Sequence, residues 1–186
     1  MTRFLLSALL APLRTWVLLL PIAATSHAAE PLVTEGIVNA PVAEVWRALT
    51  TVEGFKRMGI AHAELEVAIG GEIRTHYDPD GRLGDPDTIV NEILAYDPER
   101  MLAIRVKQAP QSFPFREAVR GTWSVLYLYP LGQDMTHLKL VGLGYRDDAE
   151  SQRMREYFAQ GNRGTLDRLI EHYAPACARC EARDER

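Results

Sequence analysis

The sequence predicts a single α+β domain, a curved and mostly antiparallel sheet with its helices gathered on one face. Three observations predict it. Seven short segments alternate apolar and polar residues, the period of a half-buried strand. Two short helical segments fall between the first and second of these, and the chain then closes on one long amphipathic stretch. That order contains no repeating strand–helix units, so helices segregated to one face of an antiparallel sheet are expected.

Leu32 to Asn39 reads as the first strand. Pro41 follows where a helix tolerates it, in the first turn. Val42, Val45, Trp46 and Leu49 recur at helical spacing and give one apolar face. Thr50 and Glu53 have the spacing of a capping box for a second short helix through Met58. Glu64 to Ile69 and Glu72 to Tyr77 alternate around Gly70-Gly71, a tight hairpin signal. Asp78-Pro79-Asp80-Gly81 marks a turn. Thr88 to Tyr96 and Met101 to Lys107 are strands flanking the turn Asp97-Pro98-Glu99-Arg100. Ala109 to Arg116, with two prolines and two phenylalanines, reads as a loop with apolar content. Ala118 to Tyr129 and Met135 to Tyr145 read as two long strands.

Asp148 to Tyr173 completes the chain as one helix, with Met154, Phe158, Thr165, Leu166, Leu169, Ile170 and Tyr173 near one face. Gly161 and Gly164 weaken its middle, each by about 1 kcal/mol relative to alanine. The sheet is the large partner open to this helix. A helix that cannot reach the floor of a curved sheet leaves a cavity beneath it.

The first 28 residues stand apart. Arg3 is followed by two apolar runs, Leu5 to Leu10 and Thr15 to Ala24, and Ser26-His27-Ala28 offers small residues three before and one before a cut. This is the layout of a secretory signal peptide. The alternative is a membrane anchor, but Arg14 splits the span, and a charge at mid-bilayer costs on the order of 3 kcal/mol. The expected organisation is a signal peptide at 1–28, one domain at 29–174 and a polar tail at 175–186. The mature form is expected to be periplasmic or secreted and not membrane-spanning.

Cleavage would remove two arginines and no acid, lowering the formal net charge two units below −4. An acidic domain lacks the basic surface that nucleic-acid binding requires. Apolar residues at 47% and charged residues at 25% suit a globular domain. Cys177 and Cys180 lie near the C-terminus, where an oxidising compartment allows a small local disulfide between them; an idle pair is the alternative. Two thiols cannot complete a four-ligand zinc site, and no His follows Cys180 for haem attachment.

Several motifs carry a likeness. They are Ala40-Pro41-Val42-Ala43-Glu44-Val45-Trp46-Arg47-Ala48-Leu49-Thr50, Gly70-Gly71 with Ile73, Asn91-Glu92-Ile93-Leu94-Ala95-Tyr96-Asp97-Pro98-Glu99-Arg100-Met101-Leu102, and Thr136 to Tyr145. Together they make the chain, from about Val33 to Tyr173, resemble the SRPBCC superfamily of helix-grip proteins, related to birch-pollen allergens and START lipid carriers. Within it the chain is similar to the branch of the activator of heat-shock-protein ATPase homologues and polyketide cyclase-like proteins. The resemblance implies a sheet of about seven strands gripping the long C-terminal helix. Gly142 stands where many relatives carry histidine, and Gly161-Asn162 where many carry Gly-Trp, so roles attached to those family residues do not transfer.

The family pattern implies that Ser124, Leu126, Leu128, Leu138 and Leu140 face the helix. Ile73, Thr75 and Tyr77 join them from the hairpin strand, and Phe158, Leu166 and Leu169 close the space from the helix. These residues form either an apolar pocket with a few polar groups or a plain core. On the opposite face Trp123, Val125, Tyr127 and Tyr129 make an apolar stripe. That stripe is a contact surface for a second copy, as a homodimer, or for another partner, or it is covered by a loop such as Ala109 to Arg116, or the strand faces the other way and the stripe is the inward one.

His62, His76, His137 and His172 lack the spacing of metal ligands, so no metal or other cofactor is expected. His76 and His137 are expected to face solvent, and Glu92 the surface. Three functions follow. The first is an exported binding or carrier protein for a small hydrophobic or amphipathic ligand. The second is a cyclase- or hydratase-type enzyme using the same cavity. The third is a module that binds another envelope protein.

Overall fold

A computed structural model describes residues 29–175. The expected signal peptide at 1–28, and Cys177 and Cys180, lie outside the described residues. Among the described residues no helix is long and apolar enough to cross a membrane.

The elements run β1 (Leu32–Val38), α1 (Val42–Thr50), α2 (Val52–Arg57), β2 (His62–Leu65), β3 (Glu72–His76), β4 (Ile89–Asp97), β5 (Met101–Gln108), β6 (Trp123–Pro130), β7 (Thr136–Leu143) and α3 (Ala149–His172). All seven strands form one antiparallel sheet in the order β1-β7-β6-β5-β4-β3-β2. The α1–α2 connection therefore carries the chain from one edge of the sheet to the other. This is the helix-grip arrangement that the sequence predicts.

Three local readings change. The strand expected over Glu64 to Ile69 is His62–Leu65, and residues 66–71 form a longer connection to β3 in place of a tight turn. The residue capping α2 is Thr51, not Thr50: its hydroxyl accepts from the Gly54 N–H at 3.1 Å. Thr50 instead donates to the Trp46 carbonyl at 2.7 Å. The strand expected from Ala118 begins only at Trp123, because Ala118–Gly121 forms a 3-10 turn. Ala118 and Val119 are buried in that turn, so their apolar character reflects helical rather than strand packing.

Curvature has a visible source. The β4–β5 register shifts between Val90 and Asn91 and again between Ile93 and Ala95, and such irregularities bend a sheet. Gly70 donates to the Ile93 carbonyl at 2.8 Å, and the Ile93 N–H returns to Gly71 at 2.9 Å, which ties the β2–β3 turn to the bend.

Helix α3 crosses the concave side and is anchored at its two ends. Near its start Met154 is fully buried with Leu32, Ala118, Val119 and Tyr145. Near its finish Leu166 and Leu169 pack with Val38, Val45, Leu49, Met58, Leu128 and Leu138. Asp148 caps the helix, accepting from the Ser151 N–H at 2.9 Å and from Arg146 at 2.6 Å. These bonds, that from Ser151 first, hold its carboxyl below the usual range. Gly36 brings β1 close, since a Cβ there would lie 2.9 Å from Ile170 Cδ1. Between the two anchors α3 presents Gly161, Asn162, Gly164 and Thr165, none with a large apolar side chain.

The outer face of the sheet divides by chemistry. Across β2 to β5 it is a charge ladder, with Lys107 to Glu72 at 2.6 Å and Arg105 to Glu92 at 2.8 Å. Arg74 lies between Glu72 and Glu64, and Glu92 is on this solvent side as expected. Across β1, β7 and β6 the face is mixed: Val33, Ile37, Trp123 and Tyr129 are exposed, with Lys139 opposite Glu35 and the Glu35–His137 pair at 3.3 Å among them. Tyr129 stacks between Tyr127 and His137, at ring separations of 6.2 and 5.7 Å.

Tyr145 is 5% exposed beside Gly142, where a Cβ would come within 3.0 Å of its hydroxyl. Burial pushes its phenol up to about 12. An unfolded tyrosine titrates near ~10. Between these values the unfolded chain gives up a proton that the folded chain keeps, so stability falls as pH rises through that window. Tyr145→Phe is expected to flatten this alkaline loss. Urea midpoints at about pH 8 and about pH 11 check it, and an equal drop in the variant would remove Tyr145 as a cause.

Candidate ligand-binding cavity

The gap under the middle of α3 is a cavity of ≈ 400 Å³. Tyr157, Phe158, Gly161, Asn162 and Thr165 form its helical wall, one face at alternating steps of one and three residues. Val106 comes from β5, Ile89 from the start of β4, and Tyr77 from just beyond β3. Ala109, Pro110 and Phe113 enter from the loop after β5, and Val119 from the 3-10 turn. Tyr77 and Tyr157 are about half exposed, so the mouth lies beside them.

The loop wall is fixed by its own hydrogen bonds. Asp87 accepts from the Ser112 N–H at 3.2 Å and from its hydroxyl at 3.1 Å, and these bonds hold its carboxyl below the usual range. The Gln111 N–H donates to the Pro86 carbonyl at 2.9 Å. Thr88, fully buried, joins Gly84 and Arg82, and its carbonyl accepts from Gln108 at 3.0 Å. Phe113 then packs edge-on to Tyr157 at 5.5 Å and against Phe158 at 5.8 Å. Rings at these spacings form a stiff aromatic wall.

A smaller void of ≈ 90 Å³ lies deeper, lined by Thr34, Leu49, Met58, Leu126, Leu138, Leu140, Leu166 and Leu169. Asn162 and Thr165 line both spaces and so form the divide between them. The Asn162 side chain makes no hydrogen bond among the described residues. Thr165 donates to the Gly161 carbonyl at 3.0 Å and accepts from Arg168 at 3.2 Å.

Seven of the eleven residues expected at the site reach a cavity wall. Tyr77 and Phe158 line the larger space, and Leu126, Leu138, Leu140, Leu166 and Leu169 the smaller. Ile73, Thr75 and Leu128 are buried but line neither space, and Ser124 is partly buried and also lines neither. The loop contribution is not among the residues that the sequence pattern points to. Its signal was the run Ala109 to Phe115, whose apolar residues sit oddly in a surface loop. The polar helix face centred on Gly161 and Asn162 is likewise outside that pattern.

Two expectations are corrected. His76 does not face solvent: it is 6% exposed, its Nδ1 accepts from the Asp78 N–H at 3.2 Å, and Gly81 packs against its ring so closely that a Cβ there would collide with it. Alternation fails there because β3 ends at His76 and the following turn folds back over it. Nor does the loop at Ala109 to Arg116 cover the outer stripe. It turns to the concave side, where its rings meet α3.

Chemically the cavity is apolar with a few neutral polar groups. No carboxylate, imidazole, ammonium or guanidinium is among the lining residues. Burial raises the Tyr77 phenol above its ordinary value, and Arg168 opposes the shift. Tyr77 therefore keeps its proton and can donate a hydrogen bond. Among the described residues there is no group of three or more side chains that could hold a metal ion.

A family model described as polyketide cyclase / dehydrase and lipid transport matches residues 32–173. The chain belongs to that family. It is thus a ligand-binding domain of the SRPBCC superfamily. Among solved structures it is similar to a Mesorhizobium loti protein at 21% identity, covering 77% of this chain and 96% of that one with a TM-score of 0.61. It is also similar to the di-domain ARO/CYC protein BexL of the BE-7585A biosynthetic pathway, at 16% identity, 77% and 46% coverage and a TM-score of 0.62. The Aha1 dimer from Colwellia psychrerythraea follows, at 14% identity, 78% and 96% coverage and a TM-score of 0.57. These likenesses establish the fold. A search of curated proteins found no match.

Proposed function

We propose that this protein is an exported binding or carrier protein for a small hydrophobic or amphipathic molecule. The observation that carries the reading is the aromatic-walled space of ≈ 400 Å³ under the middle of α3, which falls in the range of small-molecule sites. A ligand that buries about 200 Å² of apolar surface there gains roughly 5 kcal/mol before the costs of ordering. Export rests on the first 28 residues, whose pattern is that of a cleaved signal.

The lining favours binding over proton transfer. Acid–base chemistry at neutral pH draws on a carboxylate or an imidazole held within reach of the substrate. The lining residues supply neither, which weighs against a cyclase or hydratase working through general base catalysis.

Native mass spectrometry of protein purified from its own host tests the reading. A bound small molecule that is lost on solvent extraction is the expected result, together with a mature N-terminus at Ala29. Protein carrying no extra mass, and unable to take up naphthalene-sized probes afterwards, would end the carrier reading.

A second surface supports self-association through the outer face. Trp123 and Tyr129 are 41% and 46% exposed there, with exposed Val33 and Ile37 on the same face around the Glu35–His137 pair, and large exposed aromatic side chains of this kind suit a contact site. Trp123→Ala is expected to shift sedimentation towards the monomer. A sedimentation coefficient independent of concentration in the parent protein would remove the dimer.

A further inference from the structure

The cavity lining carries no charge, but one of its residues, Thr165, is bonded to an exposed arginine just outside it. Arg168 lies on α3 three residues beyond Thr165, and its side chain runs back over the preceding turn, as long helical side chains do. One of its terminal nitrogens donates to the Thr165 hydroxyl at 3.2 Å. The other would lie 3.8 Å from a Cβ at Gly164, so the absent side chain leaves the guanidinium room against the helix. The same charge acts on the Tyr77 phenol across the mouth.

Its neighbours on α3 are occupied. Arg163 is bonded to Asp167 and to the Glu35 carbonyl, and Arg155 to the Pro31 carbonyl. Among the described residues Arg168 forms no ion pair. One contact to a neutral hydroxyl uses one of its five N–H donors. The remaining fork suits a planar anion held in two-point fashion. Tyr77, whose hydroxyl makes no hydrogen bond among the described residues, adds a neutral donor from the cavity lining, within the field of the same guanidinium.

We propose that the ligand is an amphipathic carboxylic acid. Its apolar body enters the aromatic-walled cavity, and its carboxylate stays at the rim on Arg168, with the Tyr77 hydroxyl as second donor. This deepens the binding reading above and rests on it. An uncharged lining and a charged rim divide the work: burying the carboxylate would cost far more than its hydrogen bonds return, whereas holding it at the mouth keeps one side hydrated. Attraction at an exposed cation is screened by salt, so the preference for an acid is expected to fall as ionic strength rises.

Paired titrations with 2-naphthoate and methyl 2-naphthoate separate this proposal from the reading it rests on. The two probes share a ring system and differ in charge. The expected result at neutral pH and low salt is that the acid binds about tenfold more tightly than the ester. In Arg168→Gln the two should bind within about twofold of each other, with the ester's affinity unchanged. Tyr77→Phe should lower the preference by about threefold. If the ester binds and the acid is no tighter, or if the preference survives in Arg168→Gln, the carboxylate proposal fails and the cavity reading stands. If neither probe binds, both fail.

Discussion

Gly161→Phe is expected to abolish uptake of methyl 2-naphthoate, lowering affinity by about thirtyfold or more, while the protein keeps its fold. A Cβ at Gly161 meets nothing within 4 Å, and the residue lines the larger cavity from the middle of α3. A phenyl group placed there extends into the void without displacing a neighbour. Replacing a helical glycine also removes a penalty that reaches about 1 kcal/mol against alanine, so the urea midpoint should hold or rise. Full-strength probe binding in this variant would mean that the probe sits elsewhere.

Gly144→Ala is expected to cost about 3 kcal/mol or more of stability. Gly144 has φ +81°, where an L side chain is strained by ~1–2 kcal/mol. The added Cβ would also fall 2.1 Å from the Gly121 carbonyl oxygen, against backbone that cannot swing aside. Gly132 provides the control, with φ +82° and nothing within 4 Å. Its alanine variant should lose only the backbone share, about 1 kcal/mol. Urea denaturation of the two variants therefore separates strain from collision, and equal losses would show that the Gly121 contact is not tight.

The architecture was legible because local signals agreed with one another. Alternation marked most of the strands, Gly70-Gly71 the connection between β2 and β3, and spacing at Val42, Val45, Trp46 and Leu49 the first helix. What misled was the end of an element. Ala118 and Val119 carry the apolarity of a strand but form a turn, and His76 alternates correctly yet is covered by a loop that local sequence does not place.

The site was only partly legible for a related reason. Leu138, Leu140, Leu166 and Leu169 are apolar residues on inward faces, which periodicity finds. The larger space exists because something is missing: Gly161, Asn162, Gly164 and Thr165 fall between the two packed ends of α3. Single-residue hydrophobicity registers a filled core and not a gap. Phe113 and Tyr157 close that gap from a loop and a helix 44 residues apart in number, a pairing that only tertiary structure sets.

The central claim is a space held open beneath the middle of α3. Methyl-resolved NMR during titration with methyl 2-naphthoate tests it most directly. Shifts are expected at Ile89, Val106, Val119 and Thr165, with Val33, Ile37 and Val141 on the outer face unmoved. Saturable binding that shifts the outer-face methyls and leaves the first four in place would contradict it.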